Sequence, residues 1–101
     1  MIMKLQIHSI RFDADVKLLD FIQKKADKLE TFYDRIIDGE VFLKLDKSDV
    51  NENKITEIKL NIPGKQLFAG GRSASFEAAT DDAIEALRRQ IKKHKEKLIA
   101  H

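Results

Sequence analysis

The spacing of apolar residues changes period along this chain, and the order of those changes leaves few folds open. Lys4–His8 alternates, with Leu5 and Ile7 on one face and Lys4, Gln6 and His8 on the other, as a half-buried strand does. After a connector over Phe12–Ala14, Asp15 stands where a carboxylate accepts from the free amides of a first helical turn. From Val16 to Tyr33 the period is helical: Leu18, Ile22, Ala26, Leu29 and Tyr33 recur at three- and four-residue steps, flanked by Leu19, Phe21 and Phe32. Asp38-Gly39 closes the linker and alternation resumes. Over Glu40–Asp46, Val41, Leu43 and Leu45 share one face, with Phe42 and Lys44 on the other. A polar loop over Asp46–Lys54, whose one apolar residue is Val50, leads to a third strand from about Ile55 to Ile62, with Ile58, Leu60 and Ile62 inward.

Pro63-Gly64 is a tight-turn dipeptide, because proline presets φ at one central position and glycine tolerates positive φ at the next. A fourth strand, Lys65 to about Arg72, returns antiparallel. Gly70-Gly71 within it marks a bulge or a close backbone approach. Ser73 or Ser75 then caps a final helix to about Lys97, whose apolar stripe is Phe76, Ala83, Ile84, Leu87, Ile91, His94 and Leu98.

The order is β-α-β-β-β-α. In 101 residues, 43% of them hydrophobic, it makes one domain over residues 1–101 with a continuous core. The fold class is α+β. The economical burial of two helical stripes and four alternating strands is a four-stranded antiparallel sheet with two helices on one face. There is no cysteine, hence no disulfide framework, thiolate metal site or thiol nucleophile. No apolar run has the length of a signal peptide or membrane span. The expectation is a cytoplasmic protein without membrane association.

Nineteen basic and seventeen acidic residues leave a net charge of only +2, so placement carries more information than the total. Projected at about 100° per residue, the first helix gathers Lys17, Lys24, Lys28 and Arg35 on one flank, with Lys25 between them and the core. Asp20, Asp27, Glu30 and Asp34 gather on the other. Solvated helices more often interleave the signs through i,i+4 pairs. The last helix is sorted lengthwise. Glu77, Asp81, Asp82 and Glu85 precede Arg88, Arg89, Lys92, Lys93, Lys95 and Lys97, which are interrupted only by Glu96. The helix dipole favours such an arrangement within the end turns, but this basic run extends over nearly three. Arg88, Lys92 and Lys95 share one flank, and Arg89, Lys93 and Lys97 continue around the back. A ridge of this kind suits phosphate tracking, in which each neutralised phosphate releases counterions. If the two helices are neighbours on one sheet face, their basic flanks combine into a groove.

Two stretches carry a family resemblance. "LLDFIQKKADKLETFYDRI" resembles the first helix, and "AIEALRRQIKKHKEKL" the last helix, of the ribosome hibernation-promoting factor and ribosome-associated inhibitor family. The likeness extends over essentially the whole chain. It implies a shape similar to a double-stranded-RNA-binding domain and binding in the small ribosomal subunit, over the tRNA and mRNA positions. It further implies translation inhibition and ribosome storage under stress or in stationary phase. Carried over residue by residue, it implies ribosomal RNA contacts from Lys25, Lys28, Arg89, Lys93, Lys95 and Lys97, with Lys24, Arg88 and Lys92 reinforcing the same surfaces. One departure is clear: the family's D-x-Y-x-x-I-D pattern before the last helix is here Ser75, Phe76 and Glu77, with Asp81 retained. The chain resembles the short form, so any pairing of ribosomes is expected to need a second hibernation factor.

Other constellations carry less. His8 falls on the open face of its strand, and His94 lies on an apolar stripe without a ligand at i+3 or i+4; with His101 they are the only histidines. Asp81, Asp82 and Glu85 are adjacent acids in the first turns of a helix, not a buried pair with separated pKa values. Gly70-Gly71-Arg72 is too short to cradle phosphate. Phe42 and Phe68 fall toward the uncovered sheet face without the RNP-type aromatic pattern, and edge packing is expected of them. No metal, cofactor or enzymatic activity is expected. The alternatives are a free structured-RNA-binding module, whose double-stranded-RNA-binding fold would begin with a helix, and an acylphosphatase-like enzyme, whose fold would end β-α-β.

Overall fold

Each change of period becomes a change of element in the computed structural model, which describes residues 4–48 and 51–99. The elements are β1 (Leu5–Ser9), α1 (Val16–Phe32), β2 (Asp38–Leu45), β3 (Lys54–Ile62), β4 (Lys65–Ser73) and α2 (Phe76–Ile99). Val50 and His101 lie outside the described residues, as does the side chain of Leu98.

The strands lie side by side in chain order. β3 is antiparallel to both neighbours, but β1 runs parallel to β2, with Ile7 opposite Val41. The sheet is therefore mixed, which corrects the expectation of a wholly antiparallel one. The cause is α1. A strand-helix-strand crossover returns the chain to its starting end, so the second strand must run in the direction of the first.

One face of the sheet carries the core. Val41, Leu43, Ile58, Leu60, Ile62, Leu67 and Ala69 meet Leu18, Ile22, Ala26 and Leu29 of α1 and Phe76, Ala83, Ile84, Leu87 and Ile91 of α2 in a single cluster. Ile22, Leu29, Leu43, Leu87 and Ile91 are fully enclosed, each contributing about 1.5–3 kcal/mol by leaving water. α2 lies across β3 and β4 and along α1. Leu45 departs from its expected inward place and is 39% exposed. It ends β2, opposite Lys54 at the loop end of the β2–β3 hairpin, where the alternation continues but helical cover does not.

The element ends follow local chemistry. Asp15 Oδ1 accepts from the Leu18 amide at 2.8 Å. Ser75, rather than Ser73, caps α2: its Oγ accepts from the Ala78 amide at 3.1 Å, while Ser73 ends β4. Gly64 takes φ +76° in the turn after Pro63. The Gly70-Gly71 pair is a close approach and not a bulge, since Glu57–Gly70 and Thr56–Gly71 stay in unbroken register. A Cβ on Gly71 would overlap the carbonyl oxygen of Ala79. Beside this contact the buried hydroxyls of Thr56 and Thr80 share a hydrogen bond of 3.2 Å.

Candidate nucleic-acid interface

With Leu18, Ile22 and Leu29 turned to the sheet, helical geometry puts Phe21, Lys25 and Phe32 on the adjoining flank of α1. That flank faces α2. Lys25 Nζ pairs with Asp81 Oδ1 at 3.1 Å and lies 5.3 Å from the centre of the Phe21 ring. The Arg88 guanidinium and Lys95 Nζ stand 5.3 and 4.5 Å from the centre of the Phe32 ring. Lys95 Nζ also donates to the Phe32 carbonyl at 3.3 Å. α1 has no basic residue in its own last turn, so a cation from α2 supplies the charge that its exposed C-terminal carbonyls favour.

Above this seam lies a cleft of about 580 Å³, lined by Phe32, Glu85, Arg88, Arg89, Lys92, Lys95 and Glu96. Four of the nine sequence-selected cations thus line the cleft, Arg88, Arg89, Lys92 and Lys95. Lys24, Lys28 and Phe32 are spaced four residues apart on α1, and this helical spacing sets the exposed Lys24 and Lys28 along the adjoining flank of α1. Lys25 sits in the seam itself, paired with Asp81. Lys93 and Lys97 stand apart. They open on the β4 side of α2, around a smaller concavity shared with Lys65, Gln66, Leu67, Gln90 and His94. His94 also meets the edge of the Tyr33 ring, 6.1 Å between centroids.

Sequence reasoning treated Phe32 as a core flank and did not foresee the Lys25–Asp81 pair or Lys65 beside Lys93. The place of Phe32 was readable from its i+4 relation to Lys28. The cross-helix pair leaves no local signal. On the opposite, uncovered sheet face, His8 stacks on Phe42 at 5.0 Å and bonds Glu40 through Nε2 at 3.0 Å. Lys59 stands 5.4 Å from the Phe42 ring centre, and Lys44 pairs with Glu57 at 2.6 Å. Phe42 is therefore stacked between neighbours, whereas Phe68, on the edge strand β4, is 48% exposed. No helix among the described residues is long and apolar enough to cross a membrane.

The profile of a protein family described as "Sigma 54 modulation protein / S30EA ribosomal protein" matches residues 5–99. The chain belongs to this family. Among relatives of this S30EA chain is the ribosome hibernation promoting factor of Klebsiella oxytoca. It is 33% identical over 99 residues, covering 98% of this chain and 100% of that protein. The factor of the same name from Escherichia coli K12 is 32% identical over the same coverage. A ribosomal subunit interface protein from Coxiella burnetii has the same fold at a TM-score of 0.83 and 21% identity, covering 93% of this chain and 99% of its own. The N-terminal domain of Thermus thermophilus Protein Y superposes at a TM-score of 0.75 with 23% identity and the same coverage. The β-α-β-β-β-α architecture with a mixed sheet is thus common to this S30EA chain and these structures.

Proposed function

We propose that this chain is a ribosome-associated hibernation factor. In this reading it binds the small ribosomal subunit through the α1–α2 cleft, occupies the tRNA and mRNA positions, and keeps ribosomes inactive under stress or in stationary phase. Membership of the S30EA family and the names of relatives matched over nearly their whole length support the ribosomal assignment. The observation that carries the choice of surface is the lining of one concavity by Arg88, Arg89, Lys92 and Lys95, with the exposed Lys24 and Lys28 on the adjoining flank of α1. Inhibition then comes from occupancy: cations seated on ribosomal RNA phosphates release counterions and hold the domain where translation needs open space. A second hibernation factor would join where ribosomes pair.

The test is sucrose-gradient sedimentation of lysates from starved cells. Wild-type protein is expected to travel with small subunits or whole ribosomes. The double reversals R88E/K92E and K24E/K28E should leave it at the top while thermal melts show that both variants still fold, because all four side chains are exposed. Removing one phosphate contact, as in K92A, should flatten the dependence of log K on log salt by about one unit. Wild-type protein remaining at the top of the gradient refutes the ribosomal reading; reversed variants that sediment normally refute the cleft.

A further inference from the structure

A surface that only tracks phosphates has no use for an apolar floor. Yet the cleft between the helices has the ring of Phe32 in its wall, its one apolar side chain, beside the aliphatic stems of the charged residues that line the rest. The charge balance is modest, since Glu85 and Glu96 share the cleft with Arg88, Arg89, Lys92 and Lys95. Electrostatic attraction alone is thus weaker here than a count of cations implies. We infer that the cleft seats an unpaired RNA nucleobase against Phe32 and the Arg88 guanidinium, while Arg89 and Lys92 hold the flanking phosphates. The inference rests on the ribosomal reading above and specifies which kind of RNA element that surface receives.

The geometry supports a base over a duplex. A duplex keeps its bases stacked inside and offers its readers phosphates, 2′-hydroxyls and a shallow groove, none of which enters a concavity between two helices. A splayed base does enter, and single-stranded RNA is read by stacking on aromatic rings and arginine planes. Both surfaces are present, with the Arg88 guanidinium 5.3 Å from the centre of the Phe32 ring. Lys95 is held against the wall by its hydrogen bond to the Phe32 carbonyl, which keeps its ammonium over the ring, 4.5 Å from the centroid, as a positive charge that the incoming base shares. The volume of about 580 Å³ falls within the range of sites for small organic groups.

The chain contains no tryptophan, so F32W installs a single indole at the site. Its fluorescence should be quenched by a short oligouridine and not by an RNA duplex of the same length. Quenching by both, by neither, or equally by free UMP at matched nucleotide concentration overturns the inference, the last because it would define a mononucleotide pocket. In the second arm, F32L should bind isolated small subunits about fivefold to a hundredfold more weakly, the usual cost of losing one stacked base. F32Y, which keeps the ring, should bind as wild type, and thermal melts check that both variants fold. F32L binding as tightly as wild type refutes the stacking role while leaving the ribosomal reading intact. Wild-type protein that fails to bind subunits at all refutes the ribosomal reading, and the oligouridine arm still decides whether a base stacks.

Discussion

Gly71→Ala is the smallest substitution that should disturb the whole helical layer. An added Cβ overlaps the Ala79 carbonyl oxygen and comes within 3.0 Å of the Ala79 carbonyl carbon and of Asp82 Cβ. These atoms belong to the first two turns of α2 or are fixed to them, so no side-chain rotation relieves the clash. α2 must lift from β4 by about an ångström, and overpacking of this kind costs about 1–3 kcal/mol. The same lift pulls Thr80 from Thr56, whose hydroxyls are buried and 3.2 Å apart. Leaving such groups unsatisfied costs about 1–3 kcal/mol more. A combined loss of about 2–6 kcal/mol is a large part of the roughly 5–15 kcal/mol that holds a domain folded. At about 4–8 °C per kcal/mol for a chain of this size, the melting temperature should fall by at least about 8 °C. Gly70→Ala is the matched control. Its Cβ would lie 3.7 Å from Glu57 Cγ and from the Thr56 carbonyl oxygen, in ordinary contact on the open face. Replacing a strand glycine without strain should stabilise by about 0.4–1 kcal/mol. Circular-dichroism melts and urea titrations of both variants decide the matter. A G71A melt within about 5 °C of the G70A melt would refute the close-approach reading.

Two further outcomes follow from buried and acidic groups. Thr56→Val and Thr80→Val should each destabilise by about 1–3 kcal/mol because each strands a buried partner; the double variant should lose less than the sum in a double-mutant cycle of urea melts. Asp46 accepts from the Ser48 hydroxyl at 2.6 Å and the Ser48 amide at 2.9 Å and pairs with Arg72 at 2.8 Å. These contacts lower its pKa from 3.8 to about 2, with the Ser48 side chain the largest cause. A depressed carboxylate pKa means that its contribution to stability is complete above the unfolded value, near 3.8, and is lost as pH falls through about 2. An NMR titration of the Asp46 carboxyl should therefore have its midpoint near 2, and Ser48→Ala should move it upward; an unmoved midpoint refutes the assignment of cause.

Much of the fold was legible because burial imposes a period. The steps at Leu18, Ile22, Ala26 and Leu29 mark one helical face, and Asp15 and the Pro63-Gly64 turn announced their roles through backbone chemistry that depends only on near neighbours, whereas the choice between Ser73 and Ser75 as the cap of α2 needed the structure. Periodicity states which face a residue occupies, not what lies opposite. The parallel pairing of β1 with β2 depends on how a helix returns the chain, and the exposure of Leu45 on where helical cover stops. Thr56 and Thr80 fall on the inward faces of β3 and α2 by period, but only the packing of the two elements shows that their hydroxyls meet. At the candidate interface, sorting of charge around α1 and along α2 was visible, but only packing separates Lys93 and Lys97, on the β4 side, from the cations at the cleft.

That separation has a counterpart within the seam. Lys25 and Lys95 are both cations at the helix interface, yet each is engaged internally, one by Asp81 and the other by the Phe32 carbonyl. Among the described residues, Lys24, Lys28, Arg89 and Lys92 carry no ion pair. An exposed pair such as Lys25–Asp81 contributes little stability by itself. Its value is geometric, because it ties the middle of α1 to the early turns of α2, as Lys95 ties the end of α1 to the late turns. The shared core sets the relative orientation of the helices, and these two contacts keep Lys25 and Lys95 at fixed places along the seam. The unpaired cations then meet an incoming polyanion without first giving up a protein partner, so their desolvation is offset by phosphate alone. A chain of net charge +2 can in this way present a strongly interacting surface: some of its lysines are engaged within the seam of the groove, and others are left to bind what enters it.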